Sequence, residues 1–209
     1  MSTPSLVYVV EDDPAVRDAL TLLFGLNGFS VQAFSSAEDF LERVDAPVQG
    51  CVVIDYRLPG LDGLELTRRV RDRSHGAPCV VISGHGDIAA ARRAFKLGAV
   101  DFLEKPLDEL ELIEIVRRAL ARYRDATMRQ ADAMDLCVRL QSLTEREREV
   151  FAMVARGMPA REVAGALEIS PRTVEVHRSR AMEKLGARRL SDLARIAEQL
   201  AQAGFSIDK

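Results

Sequence analysis

The chain has 209 residues, of which 47% are hydrophobic and 29% charged, with a net charge of −3. That balance suits a globular protein of one large domain or two small ones, and no run of about 18 apolar residues offers a membrane span. Residues 1–142 carry 17 basic and 22 acidic side chains, whereas residues 143–209 carry 12 and 10, an asymmetry that points to two modules with different partners.

Met1-Ser2-Thr3-Pro4-Ser5 lacks the basic and apolar blocks of a signal peptide. Three cysteines, Cys51, Cys79 and Cys137, fall without metal-ligand spacing, so reduced thiols in a cytoplasmic protein are expected. Leu6-Val7-Tyr8-Val9-Val10 is a β-branched, aromatic run and reads as the first strand. Glu11-Asp12-Asp13 closes it, and Pro14 suits the first position of a helix capped by Asp13. Val16, Leu20 and Leu23 continue that helix to about residue 26, where Asn27-Gly28 stops it. Val31, Ala33 and Phe34 give the weakest of five strand signals. Ser35-Ser36-Ala37-Glu38 has capping-box spacing before a second helix carrying Phe40, Leu41 and Val44.

Cys51-Val52-Val53-Ile54-Asp55 runs four apolar residues into one carboxylate, with a Pro59-Gly60 turn soon after. Such a run reads as a strand buried on both faces. A third helix is predicted over 64–71, a fourth buried strand over 78–83, a fourth helix over Ile88–Leu97 and a fifth strand over 100–104, followed by Lys105-Pro106. Five alternations imply a parallel sheet with helices on both faces. A flavodoxin-like (βα)5 domain with strand order 2-1-3-4-5 is therefore expected over residues 1–122. A fifth helix starts near Asp108 and meets no Gly or Pro before Leu143. Residues 123–141 read as a helical linker, either one continuous helix or one with a break or a coiled-coil segment.

In that strand order strands one and three are neighbours, which brings Glu11, Asp12 and Asp13 close to Asp55. Clustered carboxylates repel one another, and a hard divalent cation such as Mg²⁺ relieves the repulsion; the alternative is that some of these acids merely cap the first helix. Ser83 ends strand four with a hydroxyl. Lys105 follows strand five with an ammonium that a cis Pro106 would orient. An acid surrounded by a cation, a hydroxyl and a lysine is a place for a phosphoryl group, with the carboxylate as nucleophile.

Glu11-Asp12-Asp13, Asp55, Ser83 and Lys105-Pro106, each at a strand end, resemble the receiver domain of two-component response regulators over residues 5–122. The resemblance implies that Asp55 is the phosphoacceptor and that Asp12, Asp55 and the Arg57 backbone carbonyl bind Mg²⁺. Glu11 stands where most members carry aspartate and would act through water. Ser83 replaces the commoner threonine and keeps its hydroxyl. Phe102 matches the family's rotameric switch, the alternative being an ordinary core aromatic.

Downstream, every signal is helical. Thr144-Glu145-Arg146-Glu147 has capping-box spacing and Gly157 ends its helix; 159–167 is short; Ser170 caps a third helix that Gly186 ends; Ser191 caps a last one to about residue 200. The three-residue turn between Leu167 and Pro171 reads as a helix-turn-helix. At 100° per residue Val174, Ala181 and Leu185 face the core, while Arg172, Glu175, Val176, Ser179, Arg180 and Glu183 face away on a side that could enter a major groove. Arg178 reads as a phosphate contact at the groove edge, Lys184 as a phosphate contact or a solvated residue, and His177 as a packed, hydrogen-bonded histidine. The stretch from Leu143 to Val150, with Ser170-Pro171-Arg172-Thr173-Val174-Glu175-Val176-His177-Arg178, resembles the LuxR-type helix-turn-helix, here a four-helix domain over 142–209. The whole resembles the FixJ/NarL class of regulators, nearest its FixJ branch. The expected DNA-facing set is Arg172, Thr173, Glu175, Val176, Arg178, Ser179, Arg180 and Lys184.

The resemblance implies a DNA-binding transcription regulator, not an enzyme, phosphorylated on Asp55 by a sensor histidine kinase. It would dimerise through the face of helix four and strand five and bind a palindromic operator, with RNA polymerase as a further candidate partner. Two rival readings fit the residues less well. An aspartyl phosphohydrolase needs a second Asp two residues after the nucleophile, where Arg57 stands. A regulator with a vestigial Asp55 sits badly with the complete set of Asp12, Asp55, Ser83 and Lys105.

Overall fold

The computed structural model describes residues 5–74, 76–84 and 88–205. Residues 1–4, within the stretch that lacks signal-peptide features, lie outside the described residues. Contacts divide the chain into two compact units, Met1–Asp125 and Ala126–Lys209.

In the first unit the strands β1 (Leu6–Val10), β2 (Ser30–Phe34), β3 (Cys51–Asp55), β4 (Cys79–Ser83) and β5 (Ala99–Glu104) form one parallel sheet in the order β2-β1-β3-β4-β5. The helices are α1 (Pro14–Leu26), α2 (Ala37–Arg43), α3 (Gly63–Arg73), α4 (Ile88–Leu97) and α5 (Glu109–Gln141). Because side chains alternate across a strand, the sheet feeds two cores. Val7, Val9, Val53 and Val80 pack with Leu20 and Phe24 of α1 and Leu112 and Val116 of α5. Tyr8, Val10, Val52 and Ile54 pack on the other face with Phe40 of α2 and Leu66 and Val70 of α3. β3 and β4 are buried along their whole length, as a doubly covered parallel sheet requires.

One cap differs from expectation. Ser36, not Ser35, caps α2 and accepts from the Asp39 amide at 3.1 Å. Glu38 is thereby free to accept from the Leu61 amide at 2.8 Å, across to the loop after β3. The linker has no break: α5 is helical from Glu109 to Gln141. Tyr123, one residue past the expected end of the receiver, donates its hydroxyl to the Val48 carbonyl at 2.9 Å.

The second unit packs α6 (Glu145–Ala155), α7 (Ala160–Ala166), α8 (Pro171–Leu185) and α9 (Leu190–Gln202) around Phe151, Val163, Val174, Ala181, Leu193 and Leu200. Leu140, at the end of α5, joins this core. Thr144 and Glu147 form the expected capping box. Ser191 does not cap α9, which begins one residue earlier. The Asp192 carboxylate instead accepts from the Arg188 and Arg189 amides at 2.9 and 2.8 Å. No helix among the described residues is long and apolar enough to cross a membrane.

Candidate acidic site and helix-turn-helix face

β1 and β3 are paired with Val10 opposite Ile54, so Glu11 and Asp55 emerge together at one end of the sheet. Glu11, Asp12 and Asp55 each offer a carboxylate oxygen, and these atoms lie within 4.8 Å of one another. Glu11 and Asp55 are buried and Asp12 is exposed. From the end of β5, Lys105 Nζ reaches Glu11 Oε2 at 2.8 Å and Asp55 Oδ2 at 2.5 Å. The Lys105–Pro106 peptide is cis, and the Lys105 amide donates to the Ser83 carbonyl at 2.7 Å.

The electrostatics follow from this packing. Burial, reinforced by the Asp55 charge, pushes the Glu11 carboxyl up to about 7 even with Lys105 against it. Burial works to lower Lys105, but hydrogen bonds to Asp55 and Glu11 outweigh it and hold the ammonium above its ordinary range. An oxygen-only donor set with one exposed carboxylate suits a hard, partly hydrated divalent cation.

Asp13 lies outside the cluster: it caps α1, accepting from the Ala15 and Val16 amides at 2.8 and 3.3 Å. Arg17, which the sequence pattern did not single out, donates to the Glu11 and Asp12 carbonyls at 2.7 and 3.1 Å and so orients the acidic loop. After β3, Asp55 Oδ1 accepts from the Arg57 amide at 2.7 Å. Gly63 lets α3 start against the strand end, since a Cβ there would lie 2.1 Å from the Asp55 carbonyl oxygen. Asp12, Tyr56, Arg57, Leu58, Pro59 and Asp62 line a surface depression beside the carboxylates.

Ser83 is buried at the end of β4, one position beyond the Asp55–Ile82 pair. Phe102 is partly buried, with Tyr56 tilted edge-on to it at 6.3 Å between centroids. The Tyr56 hydroxyl in turn accepts from Arg93 of α4 at 2.9 Å. Tyr56 and Arg93 are a second pair that residue spacing does not reveal, because they meet only in the fold.

In the second unit α7, a turn and α8 form the helix-turn-helix. Glu168 takes a left-handed φ of 55° in the turn, and Ser170 caps α8 by accepting from the Thr173 amide at 3.1 Å. Val174, Ala181 and Leu185 are buried, whereas Arg172, Glu175, Ser179 and Arg180 are exposed and Val176 is 44% exposed. Arg178 is half-buried and ion-paired with Glu175. Lys184, expected at a phosphate or in solvent, is engaged within the unit. Its ammonium lies 2.6 Å from the buried Glu147 carboxylate and donates to the Ser142 carbonyl at 3.0 Å, tying α8 to the start of α6. His177 is half-buried as expected, but its buried Nδ1 has no hydrogen-bond partner among the described residues.

Two family models match the chain: the response regulator receiver domain over residues 7–117 and the luxR family of bacterial regulatory proteins over residues 141–197. The transcriptional regulatory protein FixJ of Bradyrhizobium diazoefficiens is 41% identical over 94% of this chain and 96% of its own. FixJ of Rhizobium meliloti is 43% identical over 93% and 96%. Among solved structures, the response regulator StyR is 38% identical with a TM-score of 0.81, covering 94% of this chain and 100% of its own.

Proposed function

The chain belongs to the two-component response regulators of the FixJ/NarL class, in the FixJ branch, and is a transcription regulator with a receiver and a LuxR-type DNA-binding domain; from that premise we propose that Asp55 is its phosphoacceptor and that phosphorylation drives dimerisation and operator binding. The observation that carries this reading is the Asp55 carboxylate held by Lys105, with Glu11 and Asp12 oxygens within 4.8 Å. We assign the receiver to residues 1–122, the linker to 123–141 and the DNA-binding domain to 142–209, in a cytoplasmic protein.

Asp55 attacks the phosphorus of a phosphohistidine on a sensor kinase. An acyl-phosphate O–P bond forms as the N–P bond breaks and the imidazole leaves. Asp12, Asp55 and the Arg57 carbonyl would hold Mg²⁺, with Glu11 acting through water, and the ion supplies positive charge to the transferring oxygens. Lys105, held against Asp55, supplies further positive charge. The Ser83 hydroxyl then moves to the new phosphoryl group and leaves room for Phe102 to turn inward. The product is the modified protein itself, so no turnover of a small substrate is assigned to it.

Dimerisation is assigned to the α4–β5 face, where Ile88 is 75% exposed and Phe95 and Val100 are also exposed. An apolar group of this kind at a sheet edge gains from pairing with its own copy. Phosphorylation selects the pairing-competent state from a pre-existing equilibrium. On DNA, the two α8 helices of the dimer reach successive half-sites. Arg172 and Arg180 contact phosphate or guanine, Val176 meets a thymine methyl, Glu175 accepts from a cytosine amino group, and Thr173 and Ser179 donate at the groove edge. Arg178, paired with Glu175, stays at the phosphate margin, and Lys184, committed to Glu147, is left out of the contact set. RNA polymerase is the downstream partner of the bound dimer.

Selection of bound DNA from a random pool tests this reading. With acetyl phosphate and Mg²⁺ it should enrich a palindrome, and without them it should not; equal enrichment in both arms would overturn phosphorylation control.

A further inference from the structure

The second half of α5 presents two stripes, one of which packs into the core of the second unit through Leu140 and, partly, Leu136 and Cys137. About 140° around the helix from Leu140, at 100° per residue, Thr127, Ala131, Met134, Val138 and Gln141 form an exposed stripe, with Met134 61% and Val138 58% exposed. Their spacings of four, three, four and three residues are those of a coiled-coil seam.

We propose that this stripe is a parallel two-stranded seam that closes against the same stripe of a second copy once the receivers have paired, a role that rests on the phosphorylation-driven dimer assigned above. Three features select that occupant. In the heptad, Ala131 and Val138 take the a positions and Thr127, Met134 and Gln141 the d positions, and a β-branched residue at a favours two strands. The flanking positions carry Met128 and Asp135 on one side and Gln130 and Cys137 on the other. A parallel pairing sets the Asp135 carboxylate against the Gln130 amide of the other copy. An antiparallel pairing loses that contact and sets Asp135, paired with Arg139 of its own helix at 2.7 Å, beside its own copy.

The area supplies the third feature. Two heptads bury on the order of a few hundred Å² per copy, well below the roughly 800 Å² per partner of a standing interface. The seam therefore stays open in the monomer and closes only when receiver pairing raises the local concentration of the two helices. It carries dimerisation from the receiver to the DNA-binding domain.

The test uses the full chain with Met134→Cys in a Cys137→Ala background, with Asp132→Cys in the same background as an off-seam control. A disulfide needs Cα atoms within about 7 Å, which a d position meets across a parallel seam and Asp132 does not. With acetyl phosphate and Mg²⁺, the Met134→Cys protein should cross-link to a covalent dimer and the control should not. Val138→Glu in the otherwise unmodified chain should weaken phosphorylated self-association about tenfold. Absence of the 134–134 cross-link, or equal cross-linking at 132, overturns the seam. Sedimentation of the unmodified chain with the phosphodonor separates the two ideas: a dimer that forms without the cross-link contradicts the seam alone, and no dimer at all contradicts the functional reading as well.

Discussion

Lys105 bridges the site: its Nζ lies 2.5 Å from Asp55 Oδ2 and 2.8 Å from Glu11 Oε2, so one ammonium offsets two buried carboxylates. It competes with any divalent cation for the same oxygens. Lys105→Met should therefore bind Mg²⁺ several-fold more tightly in a calorimetric titration. It should also cost the metal-free protein on the order of 2 kcal/mol, because two buried acids lose their counter-charge. Unchanged Mg²⁺ affinity would show that Lys105 does not share the cation's ligands.

The Glu11 carboxyl sits at about 7 in the folded protein, against an ordinary 4.5. Between those values the folded chain keeps a proton that the unfolded chain gives up, so stability falls as pH rises through that window. Glu11→Gln removes the titrating group. Urea midpoints of the metal-free wild type should fall relative to Glu11→Gln from about pH 4.5 to pH 7, and parallel profiles would contradict this origin of the slope.

Glu147 is buried, yet its carboxyl is lowered: burial opposes ionisation, but Lys184 and the Thr144 amide outweigh it. Lys184→Ala leaves that charge without its cation and should cost about 1–2 kcal/mol of stability, discounted because Lys184 is partly solvated. The salt dependence of DNA binding should not change. Arg180→Ala should do the opposite, leaving Tm in place and reducing the slope of log affinity against log salt by about 1.

Much of this is legible in the sequence. The strands follow from buried apolar runs that end in polar groups, and the flavodoxin-like strand order expected for them brings Glu11 to Asp55. Helical phase places Val174, Ala181 and Leu185 in the core, and they are buried. What escaped was contact between residues with no periodic relation. Arg17 on the acidic loop, Arg93 on the Tyr56 hydroxyl and Glu147 on Lys184 join separate elements, and no local spacing encodes such meetings. The capping error at Ser35 has a local cause: Ser35 and Ser36 are both competent caps. Glu38 is drawn away to the Leu61 amide, so the box never closes.

The central claim, that Asp55 is where phosphorylation controls DNA binding, is tested most directly by operator affinity. Kd would be measured for the selected palindrome with and without acetyl phosphate and Mg²⁺, in the wild type and in Asp55→Asn. The wild type should tighten at least about tenfold on adding the phosphodonor, as expected for a coupling of roughly 1.4 kcal/mol or more, and Asp55→Asn should not change. Equal tightening in Asp55→Asn, or none in a wild type shown to carry acid-labile phosphate, would contradict it.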